Sequence, residues 1–271
     1  MRVGLGLAAL LFLLPVFTVT AVRGQRASEQ PEEPIQLLPP GEVDSARTLR
    51  VLDGDTVTEM TFSDYLQGVL RAEMPASFAQ DALCAQAVAA RTYTYYKMQN
   101  GGNHGDTADI CTDHTCCQAF LGKDRAADNW GKNAERYEAK IENAVSATDG
   151  QVMLYGGTPI LAVFHSSSAG ETWNSGQVWA QDLPYLQSVS SPEGEGVPNY
   201  YSTVELTEAE FREKFLAARP EADLSGPASE WIRDPVTDGV HVERVTIGGV
   251  PVSGPSVRSI FGLRSASFTA E

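Results

Sequence analysis

Two stretches of this sequence carry residues able to do chemistry, and a third could read a polar ligand. The densest lies between residues 104 and 118, where Cys111, Cys116 and Cys117 stand close to His104 and His114. Thiolates and imidazoles are soft or borderline ligands, and this loop holds enough of them for a tetrahedral zinc ion. The spacing is not that of a standard zinc finger, and in an exported chain disulfides compete, four cysteines permitting three pairings. Against pairing, Cys84 falls in a helix, Cys116 and Cys117 are sequence neighbours, and the two histidines would then be coincidental. The second stretch holds one carboxylate, Glu73, at the joint between two helices, beside Met74 and Pro75. A carboxylic acid delivers a proton at neutral pH only if burial or a neighbouring charge raises its pKa, and a partly apolar wall would serve. On position alone, a glutamate near a helix end is a solvated or capping residue. The third stretch is His165, Ser166, Ser167 and Ser168, with Trp173 and Trp179 following. Imidazole and hydroxyls suit sugar hydroxyls and N-acetyl groups, and an indole face suits a sugar ring. The bland alternative is a loop stabilised by its own hydroxyls. A serine hydrolase is disfavoured, because a Ser beside a His is not a triad and no G-x-S-x-G elbow is present.

The elements that must position these residues are short and mixed. Residues 65–96 read as two helices. Ser63 or Asp64 can cap the first, Leu66, Val69 and Leu70 recur at helical spacing, and Pro75 stops it. Ser77 and Gln80 suggest a capping box for the second, which Gly101 and Gly102 end. Its alanines allow close backbone approach, so the long polar Gln86 and Arg91 stand out as either solvated or aimed at something. Hairpins are expected around Asp53-Gly54-Asp55, Gly156-Gly157 and Gly248-Gly249, further strands over 186–189 and 201–206, and helices over 134–148, from Thr207 to about 218, and from Ser256 to Gly262. Residues 103–122 are too polar and irregular for helix or strand, and something else must hold them.

With 271 residues, 42% of them hydrophobic, the chain can bury a sizeable core, as one two-lobed domain or two small ones. A net charge of −15 argues against nucleic acid, which needs a basic surface. Residues 3–22 form an apolar run flanked by Arg2 and Arg23, long enough for a membrane span. Val19-Thr20-Ala21 also fits a signal-peptidase site; the length of the run favours a retained anchor over residues 1–23. Residues 24–46, rich in Pro, Glu and Gln, read as a flexible tether, leaving 47–271 as the working region.

The words EMPASF and ALCAQAVAARTY resemble the catalytic segment of the stage II sporulation protein D family, peptidoglycan lytic transglycosylases with amidase-enhancer relatives. With the downstream HSSSAG and GLRSASF, the resemblance covers roughly residues 52–268. It implies an α+β fold of helices and β-hairpins, a two-lobed catalytic unit with a substrate cleft, behind an N-terminal membrane segment. It implies that Glu73 is the single general acid and base, cleaving the MurNAc–GlcNAc bond while the muramic acid's own C6 hydroxyl closes to a 1,6-anhydro end. Ordinary glycosidases need two carboxylates; this route needs one. It further implies that Arg91, Gln86, His165, Ser166, Ser167 and Ser168 contact substrate or orient the acid. Two departures stand out: Cys84 occupies the place of a customary lysine, and Ala169 that of the first glycine after the serine loop. Some members bear zinc in the equivalent loop with a His-Cys pair before Gln; here Cys116 replaces that His and preserves a ligand. The ligand set so implied is His104, Cys111, Cys116 and Cys117, with His114 in reserve, as a closed structural zinc not required for the chemistry. The implied partners are denuded glycan strands, a stage II sporulation protein P-like amidase and a protein M-like membrane scaffold, at the sporulation septum and engulfing membrane. The alternative function is a non-catalytic, wall-binding amidase enhancer.

Overall fold

The computed structural model describes residues 35–100, 104–179, 181–193, 197 and 200–271. They form two compact units that divide between Val152 and Met153. The α+β expectation holds, with helices and small sheets in both units. The expected membrane segment, residues 1–23, lies outside the described residues, and among the described residues no helix is long and apolar enough to cross a membrane. The fold class with a membrane segment, and the single-pass membrane localisation drawn from it, are corrected on that finding.

The first unit is built on a hairpin and a helix pair. Strands β1 (Thr48–Asp53) and β2 (Thr56–Thr61) pair antiparallel around Gly54, whose positive φ of 57° closes the turn. Helix α1 (Phe62–Glu73) follows at once, capped by the hydroxyl of Thr61 accepting the Asp64 N–H at 3.0 Å, two or three residues earlier than the Ser63 or Asp64 that the sequence suggested. Its Phe62, Tyr65, Leu66, Val69 and Leu70 are fully buried, each stabilising by roughly 1.5–3 kcal/mol. A tight turn with the Phe78 N–H on the Pro75 carbonyl leads to α2 (Gln80–Gln99). The expected capping box is absent, because the Gln80 amide donates instead to the Lys140 carbonyl. Beyond α2, a two-residue strand β3 (Ile110–Cys111) joins β1 in parallel. Then come α3 (Lys123–Trp130), which the sequence did not suggest, and α4 (Ala134–Ala147), which packs on α1 and α2.

The described part of the expected tether, residues 35–46, is strapped to this unit. The Asn143 side chain accepts from the Leu38 N–H and donates to the Gln36 carbonyl, both at 2.8 Å. The Asp149 carboxylate takes the Val43 and Asp44 N–H groups, both at 2.9 Å. A proline-rich composition hid these contacts because their partners lie about a hundred residues away.

The second unit has its own core around Phe215, Trp231, Val245, Ile247, Val252 and Phe261. Its sheet is β4 (Ile232–Thr237), β5 (Val242–Ile247) and β6 (Val250–Ser253), antiparallel in chain order, with β4 an addition to the expected hairpin. Helix α5 (Glu208–Ala218) carries the expected Thr207–Glu210 capping box. Helix α6 (Gly254–Phe261) is capped by Ser253 and ends at Gly262, with φ of 71°. The strands expected over 186–189 and 201–206 do not form; Ser190–Ser191 pairs with Gly170–Glu171, and Leu154–Tyr155 with Thr158–Pro159.

Candidate metal centre

The polar loop after α2 draws four ligands together. Asp113 organises it: its carboxylate accepts the Thr115 N–H at 2.8 Å, and its carbonyl accepts the N–H groups of Cys116 and Cys117 at 3.1 and 2.7 Å. This one-turn wrap sets the adjacent thiols side by side, while β3 presents Cys111 from the strand pairing with β1. The Sγ atoms of Cys116 and Cys117 are 3.7 Å apart, and His104 Nε2 is 3.5 Å from each. With the Cys111 thiol, all four candidate ligand atoms lie within 4.8 Å of one another. A zinc ion with Zn–S of about 2.3 Å and Zn–N of about 2.0 Å implies tetrahedral edges of roughly 3.8 Å between sulfurs and 3.5 Å from sulfur to nitrogen. The donors fit that ion in type, number and spacing, so the cluster could coordinate a metal such as zinc. All four cysteines are free thiols. The reserve ligand His114 is excluded by position: its side chain is 76% exposed beside Asp113. Burial pushes the Cys111 and Cys117 thiols up, so binding a cation there must release their protons.

Glu73 is tied to the same loop. Its Oε1 accepts the Ala119 N–H at 2.9 Å, two residues past Cys117. A cavity of about 610 Å³ in this unit is lined by residues including Asp64, Gln67, Arg71, Phe120 and Lys123, and Glu73 lines neither it nor one of about 460 Å³ in the second unit. One oxygen of the carboxylate expected to act on a glycan thus accepts a bond from the backbone of the loop.

Arg91 is spent inside the fold. It is 0% exposed, and its Nε and Nη2 reach Asp44 Oδ2 at 2.9 and 2.7 Å, with further bonds to Thr148 and to the carbonyls of Val145 and Gln151. No sugar reaches it without opening that packing, so its expected substrate contact is replaced by a buried ion pair. Burial raises the Asp44 carboxyl, against the pull of Arg91. Gln86 is 6% exposed, and its Nε2 has no hydrogen-bond partner among the described residues. Cys84 is half-buried against the core.

His165, Ser166, Ser167 and Ser168 belong to the second unit. His165 and Ser166 are exposed. Ser167 donates to Glu193, whose other oxygen takes the Ser168 N–H at 2.6 Å, while the Ser168 hydroxyl donates to the Ser191 carbonyl at 2.8 Å. The Ser167 hydroxyl, with Ser168, holds the Glu193 carboxyl below the ordinary range. Trp173 is locked nearby in sequence: its indole N–H donates to Asp238 at 2.6 Å, and its ring lies 4.6 Å from that of His241. Sequence reasoning missed Asp44, Glu193 and Asp238, since nothing local distinguishes them from solvated acids.

Comparison with known proteins adds the relatives. Residues 53–155, which fall almost wholly in the first unit, match the family model for stage II sporulation protein. The chain is 34% identical over 214 residues to the stage II sporulation protein D of Bacillus subtilis (strain 168), and 33% identical over the same length to that of Bacillus amyloliquefaciens. Each alignment covers 79% of this chain and 61% of the relative, so the chain spans about three fifths of their length. It is also 33% identical over 180 residues to the amidase enhancer of Bacillus subtilis (strain 168), covering 66% of this chain and 21% of that protein. The expectation of a single-glutamate lytic transglycosylase is corrected on these findings. One aligned relative is an amidase enhancer, one Glu73 oxygen serves a backbone N–H, Glu73 lines neither cavity above, and the cluster found among the described residues is the His/Cys set that could hold a metal.

Proposed function

This chain belongs to the stage II sporulation protein D family, and from that premise we propose that it is a non-catalytic cell-wall-binding protein that enhances an amidase. The observation that carries the reading is the alignment with the amidase enhancer across two thirds of this chain. Two groups of side chains have named parts in it. His104, Cys111, Cys116 and Cys117 hold a zinc ion that, when bound, cross-links the loop; three thiolates and one imidazole fill its coordination and leave no place for a reacting water. His165, Ser166, Ser167 and Ser168 read hydroxyl and N-acetyl groups of peptidoglycan glycan strands, with Trp173 as an adjoining ring face. The amidase and a septal scaffold are the protein partners, in a sporulation setting.

The test is sedimentation with purified peptidoglycan, together with amidase release of stem peptides in the presence and absence of this chain. The expected results are co-sedimentation, a several-fold faster amidase, and no 1,6-anhydromuramyl ends by mass spectrometry. Anhydro ends produced by wild type and lost in Glu73→Gln would overturn the reading. So would a failure both to bind wall and to stimulate the amidase.

A further inference from the structure

The loop bearing the metal ligands hangs on α1 at three points. The Tyr65 hydroxyl donates to the carbonyl of Cys111 at 3.2 Å, the Gly68 carbonyl accepts the Leu121 N–H at 2.9 Å, and Glu73 Oε1 accepts the Ala119 N–H at 2.9 Å. The first contact is made to a ligand residue itself. The other two pin the chain just beyond Cys117, where the loop would otherwise swing free of the ligand cluster. Gly68 makes the approach possible, since a Cβ there would lie 2.0 Å from the Phe120 ring. The rack is rigid, because Tyr65, Leu66, Val69 and Leu70 are fully buried in the core.

An unsupported loop loses backbone conformational freedom at every residue that an ion orders. A loop already held in its ligating shape does not. We propose that α1 preorganises the metal centre, with Tyr65 and Glu73 as positioning residues that set its affinity without touching the ion. The inference rests on the zinc reading above and gives Glu73 a specific role as a hydrogen-bond acceptor for the loop. By linkage, whatever holds the ligating shape strengthens ion binding, and a bound ion strengthens those contacts equally.

The experiment measures zinc affinity of the full chain by competition with a chromogenic chelator, for wild type, Glu73→Ala, Glu73→Gln and Tyr65→Phe. Supports of this kind behind metal ligands typically contribute roughly 10- to 100-fold in affinity, the loss expected for Glu73→Ala and Tyr65→Phe. Glu73→Gln stays within about threefold of wild type, because its amide oxygen still accepts the Ala119 N–H. The inference is overturned if folded Glu73→Ala and Tyr65→Phe bind zinc within twofold of wild type, or if Glu73→Gln falls as far as Glu73→Ala. Should the variants not fold, hydrogen exchange on wild type decides. Zinc is expected to slow exchange at Ala119 and Leu121, and unchanged rates there sink the proposal. Wild type that takes up no zinc at all overturns the metal reading itself, a result distinct from normal binding that is indifferent to α1.

Discussion

The loop at 104–122 and the loop at 165–193 are made of similar material, polar and irregular, yet they differ in what stands behind them. In the first, Cys111 and Cys117 are buried, and the backbone is taken up by α1 and β1 at Tyr65, Gly68, Glu73 and Leu52. In the second, His165 and Ser166 face solvent, and Ser167 and Ser168 are gathered by the half-buried carboxylate of Glu193. Loop composition alone does not separate a built site from a surface strip. The difference comes from a rigid element whose hydrogen-bonding groups meet the loop, so that ordering is already present before a ligand arrives.

The largest effect that would test this contrast is Cys117→Ser. Removing a ligand should abolish zinc retention and take from the first unit the stability that ion binding adds, with the second unit's hydrogen exchange unchanged. Equal loss of protection in both units would erase the distinction. Next is Arg91→Met, which leaves Asp44 buried without its cation and should cost about 3–5 kcal/mol in denaturant unfolding. Adding Asp44→Leu should recover most of that, since an apolar pair can replace a buried ion pair. A smaller effect comes from Gly68→Ala, where Phe120 must move, for a cost of about 1–3 kcal/mol and weaker zinc binding.

Acid should act on the first unit through the carboxylate of Glu138. Burial of Glu138 opposes its ionisation, but the hydrogen bond and charge of Arg71, with Lys123, outweigh this and hold its carboxyl below the ordinary 4.5. A lowered folded pKa contributes stability that is fully present above 4.5 and is lost as the pH falls toward the folded value. Thermal melts from pH 6 downward should show the first unit weakening in that range, and Glu138→Gln should flatten the dependence. The smallest effect is Glu193→Gln in the second unit. It should leave the melting midpoint unchanged within error while weakening glycan binding by roughly threefold, through a looser hold on Ser167 and Ser168.

The site was legible in the sequence to the extent that its chemistry is local and dense. Cys116 and Cys117, with His104 and Cys111 nearby, could be grouped by donor type, and the structure gathers those four while leaving His114 in solvent. Glu73 and Arg91 were legible as unusual residues but not in their surroundings. The Ala119 N–H that Glu73 serves lies 46 positions on, and the Asp44 that holds Arg91 lies 47 positions back in a stretch whose composition looks like a tether. The missed α3 has a single buried residue, Ala126, and so offers almost no apolar periodicity.

By itself the sequence determined the helix pair at 62–99, the hairpins closed by Gly54 and Gly248-Gly249, the capping box at Thr207 and Glu210, and the ligand types of the metal loop. These depend on residues within a few positions of one another, where backbone sterics and side-chain reach act directly. Only the tertiary structure decided that one Glu73 oxygen accepts a bond from the loop backbone, that Arg91 is sealed against Asp44, and that residues 35–46 are strapped down. A polar side chain takes whichever partner packing brings within about 3 Å, and burial then decides whether solvent can compete.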